Sequence, residues 1–274
     1  MLLWDSTKCV RCMRCAGTCP VHAIGEGLAI DREICDSCNI CDARNAGDAR
    51  NTSNVCSSSS VGKSCVSACP QRALSMDSRR YTLDETMAFL LQDRPFYEES
   101  GGGVTLSGGE ALVQWEFSVA LLEALRKEGI HTALESSGLA SPAVFREVLR
   151  FVDLLLFDLK HYDEKTHIEG TGAHNASILS NFKSALDSGV TVLPRIPVIP
   201  GYNNRNEDAR GFVRLLASFG INRVQLLPFH QFGERKYELL SIPYALKGIP
   251  QLHQEDLAEY RQIFLDSGID CVVL

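Results

Sequence analysis

Ten of the eleven cysteines of this chain fall between Cys9 and Cys69, at spacings that suit iron–sulfur chemistry. Cys9, Cys12, Cys15 and Cys19 form C-x2-C-x2-C-x3-C, followed at once by Pro20. Cys35, Cys38 and Cys41 open a second copy, which closes with Cys65-x3-Cys69 and Pro70. The copies end alike, in CPVHAI and CPQRAL. This is the spacing of bacterial ferredoxins, in which the fourth cysteine of each run ligates the other copy's cluster. Closely spaced thiolates wrap one cubane in a tight loop, and the x3 step carries the next thiolate towards a second cube. Zinc would use four ligands per site without needing the C-x3-C-P ending. A disulfide scaffold suits short secreted chains, not the front of a long one that shows no charged-then-apolar leader. The spacing therefore predicts two [4Fe–4S] clusters.

Two clusters need eight thiolates, and ten are present in this stretch. Cys9, Cys12, Cys15 and Cys69 are expected to hold the first. Cys19, Cys35 and Cys38 hold the second, with one more from Cys41 or Cys65. Contiguity favours Cys41. The intact C-x3-C-P pair favours Cys65, and the balance tips slightly that way. Residues 42–64 are polar and rich in Ser and Asn, which reads as a surface insertion with Cys56 a spare thiol. Cys271, in an apolar C-terminal run, reads as a buried thiol in a strand.

At 274 residues the chain can hold a large domain and a small one. The boundaries read as 1–78 for a ferredoxin-like domain and 79–274 for the rest. An apolar share of 45% is ordinary for a globular core. A net charge of −7 with no basic stripe argues against nucleic-acid binding. No apolar run approaches a membrane span. Reduced cysteines without an export signal point to the cytoplasm.

The elements that must position any chemistry beyond the cysteines alternate. Short strands are expected at 104–106, 131–134, 153–157, 190–196 and 223–227, with a last one at 271–274. Helices are expected from Trp115 to a stop at Gly129, and from an N-cap at Ser141 with Pro142 to about Arg150. Others run from Ala176 to Ser188, from Asn206 to Ser218 and from Gln254 to Ser267. The unbroken run from Asp153 to Phe157 suits a strand buried on both faces. Strand–helix alternation predicts right-handed β-α-β units in a parallel α/β sheet, either a barrel or a doubly wound sheet. In both, ligands bind at the C-terminal ends of the strands.

Those ends carry a constellation. The first strand runs into Ser107-Gly108-Gly109-Glu110, and the second into Glu135-Ser136-Ser137-Gly138. The third ends in Asp158-Leu159-Lys160, the fourth holds Arg195 among prolines, and the fifth runs into His230. Singly these read as a tight turn, a solvated lysine, a core ion pair and a loop histidine. Together they suit a ligand with both an ammonium and a carboxylate group.

The stretches Ser100–Glu110, Phe157–Lys160, Arg195–Gly201 and Leu226–Gly233 resemble the activating enzymes of glycyl radical enzymes, radical S-adenosylmethionine proteins of the pyruvate formate-lyase activase type. The resemblance covers essentially the whole chain. It implies a partial (β/α)6 barrel, with its first strand missing, behind the ferredoxin-like domain. It implies that Gly108, Gly109 and Glu110 bind the amino group of S-adenosylmethionine, with Lys160, Arg195 and His230 as further contacts. Glu135, Ser136 and Asp158 match positions that hold a monovalent cation. Ala111 stands where the family usually has proline, and Glu135 where the type member has aspartate.

The family's catalytic cluster, a third [4Fe–4S], is held by C-x3-C-x2-C, and that motif does not occur in these residues. The expectation is an N-terminally truncated, inactive form. The implied reaction is reductive cleavage of S-adenosylmethionine to a 5′-deoxyadenosyl radical, which takes hydrogen from a glycine of the partner enzyme. The implied partners are a pyruvate formate-lyase-like glycyl radical enzyme and a flavodoxin- or ferredoxin-type electron donor, with the chain itself a monomer. A non-catalytic cluster-binding remnant and an electron-transfer or regulatory protein are the other readings.

Overall fold

The computed structural model describes residues 1–38 and 65–274, without the side chains of 36–38. Cys41, Cys56 and the expected insertion at 42–64 lie outside the described residues, as does the side chain of Cys38. The chain forms two compact units, one of Met1–Tyr81 with Gln231–Gly248, the other of Thr82–His230 with Ile249–Leu274. This differs from the expected division at 78/79, because Gln231–Gly248 joins the cysteine-bearing unit. Polar contacts explain the difference. Arg235 pairs with Asp5 at 3.0 Å and Lys236 with Asp77 at 3.5 Å. The Arg32 guanidinium donates to the carbonyl of Leu2 and, at 2.8 Å, to that of Leu240.

In the cysteine unit, strands β1 (Leu2–Trp4) and β2 (Leu74–Met76) pair antiparallel, with Leu3 opposite Ser75. The duplication in the sequence reappears in the backbone. The N–H of His22 donates to the Cys19 carbonyl and that of Arg72 to the Cys69 carbonyl, both at 3.2 Å. His22 and Arg72 share a left-handed φ, 52° and 51°. Leu2, Ala23, Ile24, Leu28 and Leu74 form a small core in which Cys15, Cys19 and Cys65 are also buried. A unit this small has little apolar area to bury, so bound clusters would supply much of its interior.

The larger unit is built on a six-stranded parallel sheet in consecutive order. Its strands are β3 (Gly103–Leu106), β4 (His131–Ser136), β5 (Leu154–Asp158), β6 (Thr191–Val198), β7 (Arg223–Pro228) and β8 (Asp270–Val273). Each strand pairs parallel with the next. Consecutive order without a reversal selects the barrel-type winding over the doubly wound sheet. Leu134, Leu155, Phe157, Ile196, Val224, Leu226 and Cys271 form one core with Phe145, Phe182, Phe212 and Phe264 of the flanking helices. Each fully buried Phe contributes about 1.5–3 kcal/mol.

Burial alternates along β5: Leu155 and Phe157 are fully buried, while Leu154, Leu156 and Asp158 are half-buried. The expectation of a strand buried on both faces does not hold for these residues. One face meets the helices, and the other carries Glu135, Asp158 and Arg195. Strand β5 starts at Leu154 because the Asp153 carboxylate turns back, accepting from the Thr132 N–H at 2.9 Å and its hydroxyl at 3.0 Å. Ser141 caps its helix as expected, accepting from the Val144 N–H at 3.3 Å. The last helix is shorter than expected, Ala258–Asp266 behind a single 3-10 turn. Among the described residues, no helix is long and apolar enough to cross a membrane.

Gly138, just past β4, has φ 73°, and a Cβ there would stand 2.5 Å from the Phe157 ring. That ring cannot move aside, since it is fully buried between Phe145 and Phe182. Gly138→Ala should therefore destabilise the barrel unit by about 2–5 kcal/mol, combining left-handed strain with overpacking. A denaturant midpoint equal to that of the parent would show that the turn can relax.

Candidate functional site

The C-terminal ends of β4, β5 and β6 bring four of the expected side chains into one ionic network. Asp158 and Arg195 are register partners on adjacent strands. The Arg195 guanidinium lies 3.3 Å from Glu135 and 3.8 Å from Asp158. Lys160 donates to the other Asp158 oxygen at 2.6 Å. Ser107, at the end of β3, donates to Glu135 at 2.8 Å. Opposite charges are thus held close in partly buried positions.

Two atoms of this network are buried without a hydrogen-bond partner: Asp158 Oδ1 and Arg195 Nε. The 3.8 Å between them is too long for a hydrogen bond. Buried groups left unsatisfied cost about 1–3 kcal/mol each, more when charged. A buried acceptor and donor side by side without hydrogen bonds fit a zwitterionic ligand or a cation with its counter-charge. S-adenosylmethionine, with an ammonium and a carboxylate on one carbon, meets that requirement.

Glu110 is held differently from the ring imagined from the sequence. Its Oε1 accepts from the Ser136 hydroxyl at 2.8 Å and the Leu112 N–H at 3.2 Å. Its Oε2 accepts from the Ser137 hydroxyl at 2.8 Å and N–H at 3.1 Å. These four donors fill the carboxylate, so it fastens the loop after β3 to the end of β4. Gly108 and Gly109 are exposed, and a Cβ on either would meet nothing within 4 Å. Gly108 sits at φ 127°, which L residues rarely adopt. The loop thus offers bare backbone at the rim. His230 follows β7 at the same end of the sheet and is exposed.

The sequence reading passed over Asn203. It is fully buried and donates to the carbonyls of Lys160 at 3.1 Å and Pro197 at 2.8 Å. It also accepts from the Ile199 N–H at 2.7 Å. Asn203 therefore ties the exit of β5, with Lys160, to the exit of β6. Behind it, burial pushes the His161 imidazole below its ordinary pKa. Only the Pro-Gly turn before Asn203 hinted at such a role.

In the cysteine unit, Cys9, Cys12, Cys15 and Cys69 line a single cavity with Trp4, Val10, Leu28 and Leu74. These are the four thiols expected for the first cluster. Backbone N–H groups point at the sulfurs: Arg11 at Cys9 (3.4 Å), Ala73 at Cys69 (3.2 Å) and Ala23 at Cys19 (3.3 Å). Hydrogen bonds to ligand sulfurs are one of the factors that set an iron–sulfur cluster's potential. Among the described residues, no three His, Cys, Asp or Glu converge as a single metal ion requires. Four thiols around a cavity suit a larger body. Of the second set, Cys19 and Cys65 are buried and Cys35 is half-buried. Cys271 is fully buried in β8 as expected, and burial pushes its thiol up to about 12.

Comparison with known proteins places the chain's two parts in known families. Residues 60–216 match the radical SAM superfamily, and residues 2–25 match a 4Fe-4S binding domain. The isethionate sulfite-lyase activating enzyme of Oleidesulfovibrio alaskensis is 34% identical over 87% of this chain and 72% of that enzyme. The choline trimethylamine-lyase activating enzyme of the same organism is 41% identical, over 69% of this chain and 62% of its own length. The 4-hydroxyphenylacetate decarboxylase activating enzyme of Clostridioides difficile is 33% identical over 96% of this chain and 78% of that enzyme. This chain thus spans from 62% to 78% of the lengths of these relatives. A domain of a pyruvate-formate lyase-activating enzyme from Bacteroides vulgatus superposes with a TM-score of 0.52 at 28% identity, over 63% of this chain and 99% of that domain. With a radical-SAM fold, a ferredoxin-type module and these relatives, the chain belongs to the radical SAM activating enzymes of glycyl radical enzymes.

Proposed function

We propose that the barrel rim binds S-adenosylmethionine for radical generation on a partner glycyl radical enzyme. The observation that carries this reading is the pair of buried atoms without a hydrogen bond, Asp158 Oδ1 and Arg195 Nε, at the strand ends. Gly108 and Gly109 offer open backbone to the amino group, and Glu110 fixes that loop against Ser136 and Ser137. Lys160, Arg195 and His230 contact the rest of the molecule. Glu135, Ser136 and Asp158 supply oxygen ligands for a monovalent cation beside it. A bound, reduced catalytic cluster would supply the one electron for reductive cleavage of S-adenosylmethionine, giving methionine and the radical chemistry that removes a hydrogen atom from the partner's glycine. This chain's residues hold the cofactor and exclude water around it.

The cysteine unit holds two [4Fe–4S] clusters in this reading and relays electrons from a flavodoxin- or ferredoxin-type donor. The family's three-thiolate catalytic cluster requires a C-x3-C-x2-C motif, which does not occur in these residues. The protein works as a cytoplasmic monomer.

The test uses protein supplied with a segment that carries this motif. Asp158→Asn and Arg195→Met should each weaken S-adenosylmethionine binding about ten- to a hundredfold, since a hydrogen bond to a charged group carries about 1.5–3 kcal/mol. Titration calorimetry under anaerobic conditions reads this directly. Parent-like affinity in both folded variants would move the cofactor away from this rim.

A further inference from the structure

The surface around Cys12 has a charge unlike that of the whole chain. The chain carries −7 overall. Residues 6–25 and 65–76 contain no Asp or Glu, yet they contain Lys8, Arg11, Arg14 and Arg72. All four cations are exposed. Lys8 has Asp5 at 3.4 Å. Arg11, Arg14 and Arg72 border residues that line the cysteine cavity, and none has an ion-pair partner among the described residues. Among the residues that line the cavity, Cys12 is exposed and Val10 is 62% exposed. The other described thiols of the module are buried or half-buried.

Exposed apolar surface beside exposed charges of one sign suits a transient docking surface. Redox encounters are small and weak, and they rely on charge for orientation and on-rate. Cys12 is an expected cluster ligand, so a carrier docked over it would stand against the cluster itself.

We infer that the face formed by Val10, Cys12, Arg11, Arg14 and Arg72 docks an acidic one-electron carrier protein and is the port by which electrons enter the cluster of Cys9, Cys12, Cys15 and Cys69. This rests on the reading that those thiols hold a [4Fe–4S] cluster. The step moves one electron: the reduced carrier is oxidised and the cluster is reduced, with no bond made or broken. Charge complementarity selects the partner, because a basic carrier would be repelled by the same rim.

The experiment is anaerobic stopped-flow bleaching of the reconstituted protein by an acidic flavodoxin in its hydroquinone form. In the parent, the bimolecular rate constant should fall steeply as salt is raised. The triple variant Arg11→Glu, Arg14→Glu, Arg72→Glu should lose about ten- to a hundredfold of that rate at low salt and most of its salt dependence. Photoreduction by a small deazaflavin should still bleach the full cluster absorbance in the variant. An unchanged rate in a triple variant with full iron content overturns the docking face alone. Parent protein that takes up no iron–sulfur cluster overturns this inference and the cluster assignment together.

Discussion

A polypeptide of these 274 residues alone should produce no 5′-deoxyadenosine from S-adenosylmethionine, even with its ferredoxin-type clusters fully reduced. Metal-assisted chemistry on a bound substrate needs an open coordination position. The four thiols around the Cys9 cavity can fill every outer position of a cubane. The second set closes in the same way once Cys41 or Cys65 joins Cys19, Cys35 and Cys38. Neither cluster then has an iron for the amino and carboxylate groups to reach. Adding a segment with C-x3-C-x2-C should add about four iron per chain and switch production from none to readily measurable turnover. Chromatographic detection after strict reduction separates the outcomes. Product from the 274 residues alone would mean that a ferredoxin-type cysteine is catalytic and that the eight-thiolate assignment is wrong. No product even with the added segment would favour the remnant reading.

The sequence made the barrel legible because its signals are local. Each strand of the sheet is a short apolar run, and each long helix carries a stripe that returns every third or fourth residue. Parallel winding then forces Asp158, Arg195 and the residues after β3, β4 and β7 to one end of the sheet, whatever the loops do. What the sequence hid depends on register and on contacts between distant segments. Asp158 faces Arg195 because β5 and β6 pair in that register and no other. Glu110 reads as a free carboxylate until the end of β4 places two serines on it. Asn203 looks like any turn residue until the two carbonyls it bridges are seen.

Short elements escaped for a different reason. The helix Leu83–Leu90 opens with a full capping box, Thr82 with Glu85, but has too few turns to show a clear period. The segment Gln231–Gly248 joins the cysteine unit through Arg235 and Lys236. Pairing between charges so far apart in the chain leaves no pattern along the sequence. The two ferredoxin motifs were readable for the opposite reason: their chemistry fixes the spacing, and the backbone repeats it at His22 and Arg72.

Anaerobic reconstitution should load about eight iron and eight sulfide per chain, two cubanes' worth. Cys9→Ala and Cys35→Ala should each remove about one cluster, or about four iron. The sharper comparison is between Cys41 and Cys65. Cys65 stands before Cys69-Pro70 as Cys15 stands before Cys19-Pro20. Both are buried in the small core, Cys15 at 7% and Cys65 at 1% exposure. The repeat aims Cys15 at the first cubane, so the same local geometry should aim Cys65 at the second. Cys65→Ala should then lose about half the iron, while Cys41→Ala keeps nearly all of it. Burial alone could make Cys65→Ala harmful, because a core thiol is also a packing group. The Cys41 variant is free of that ambiguity. If Cys41→Ala loses half the iron, Cys41 is the ligand and Cys65 is core packing. Zinc in place of iron, or one cluster in the parent chain, would remove the ferredoxin assignment altogether.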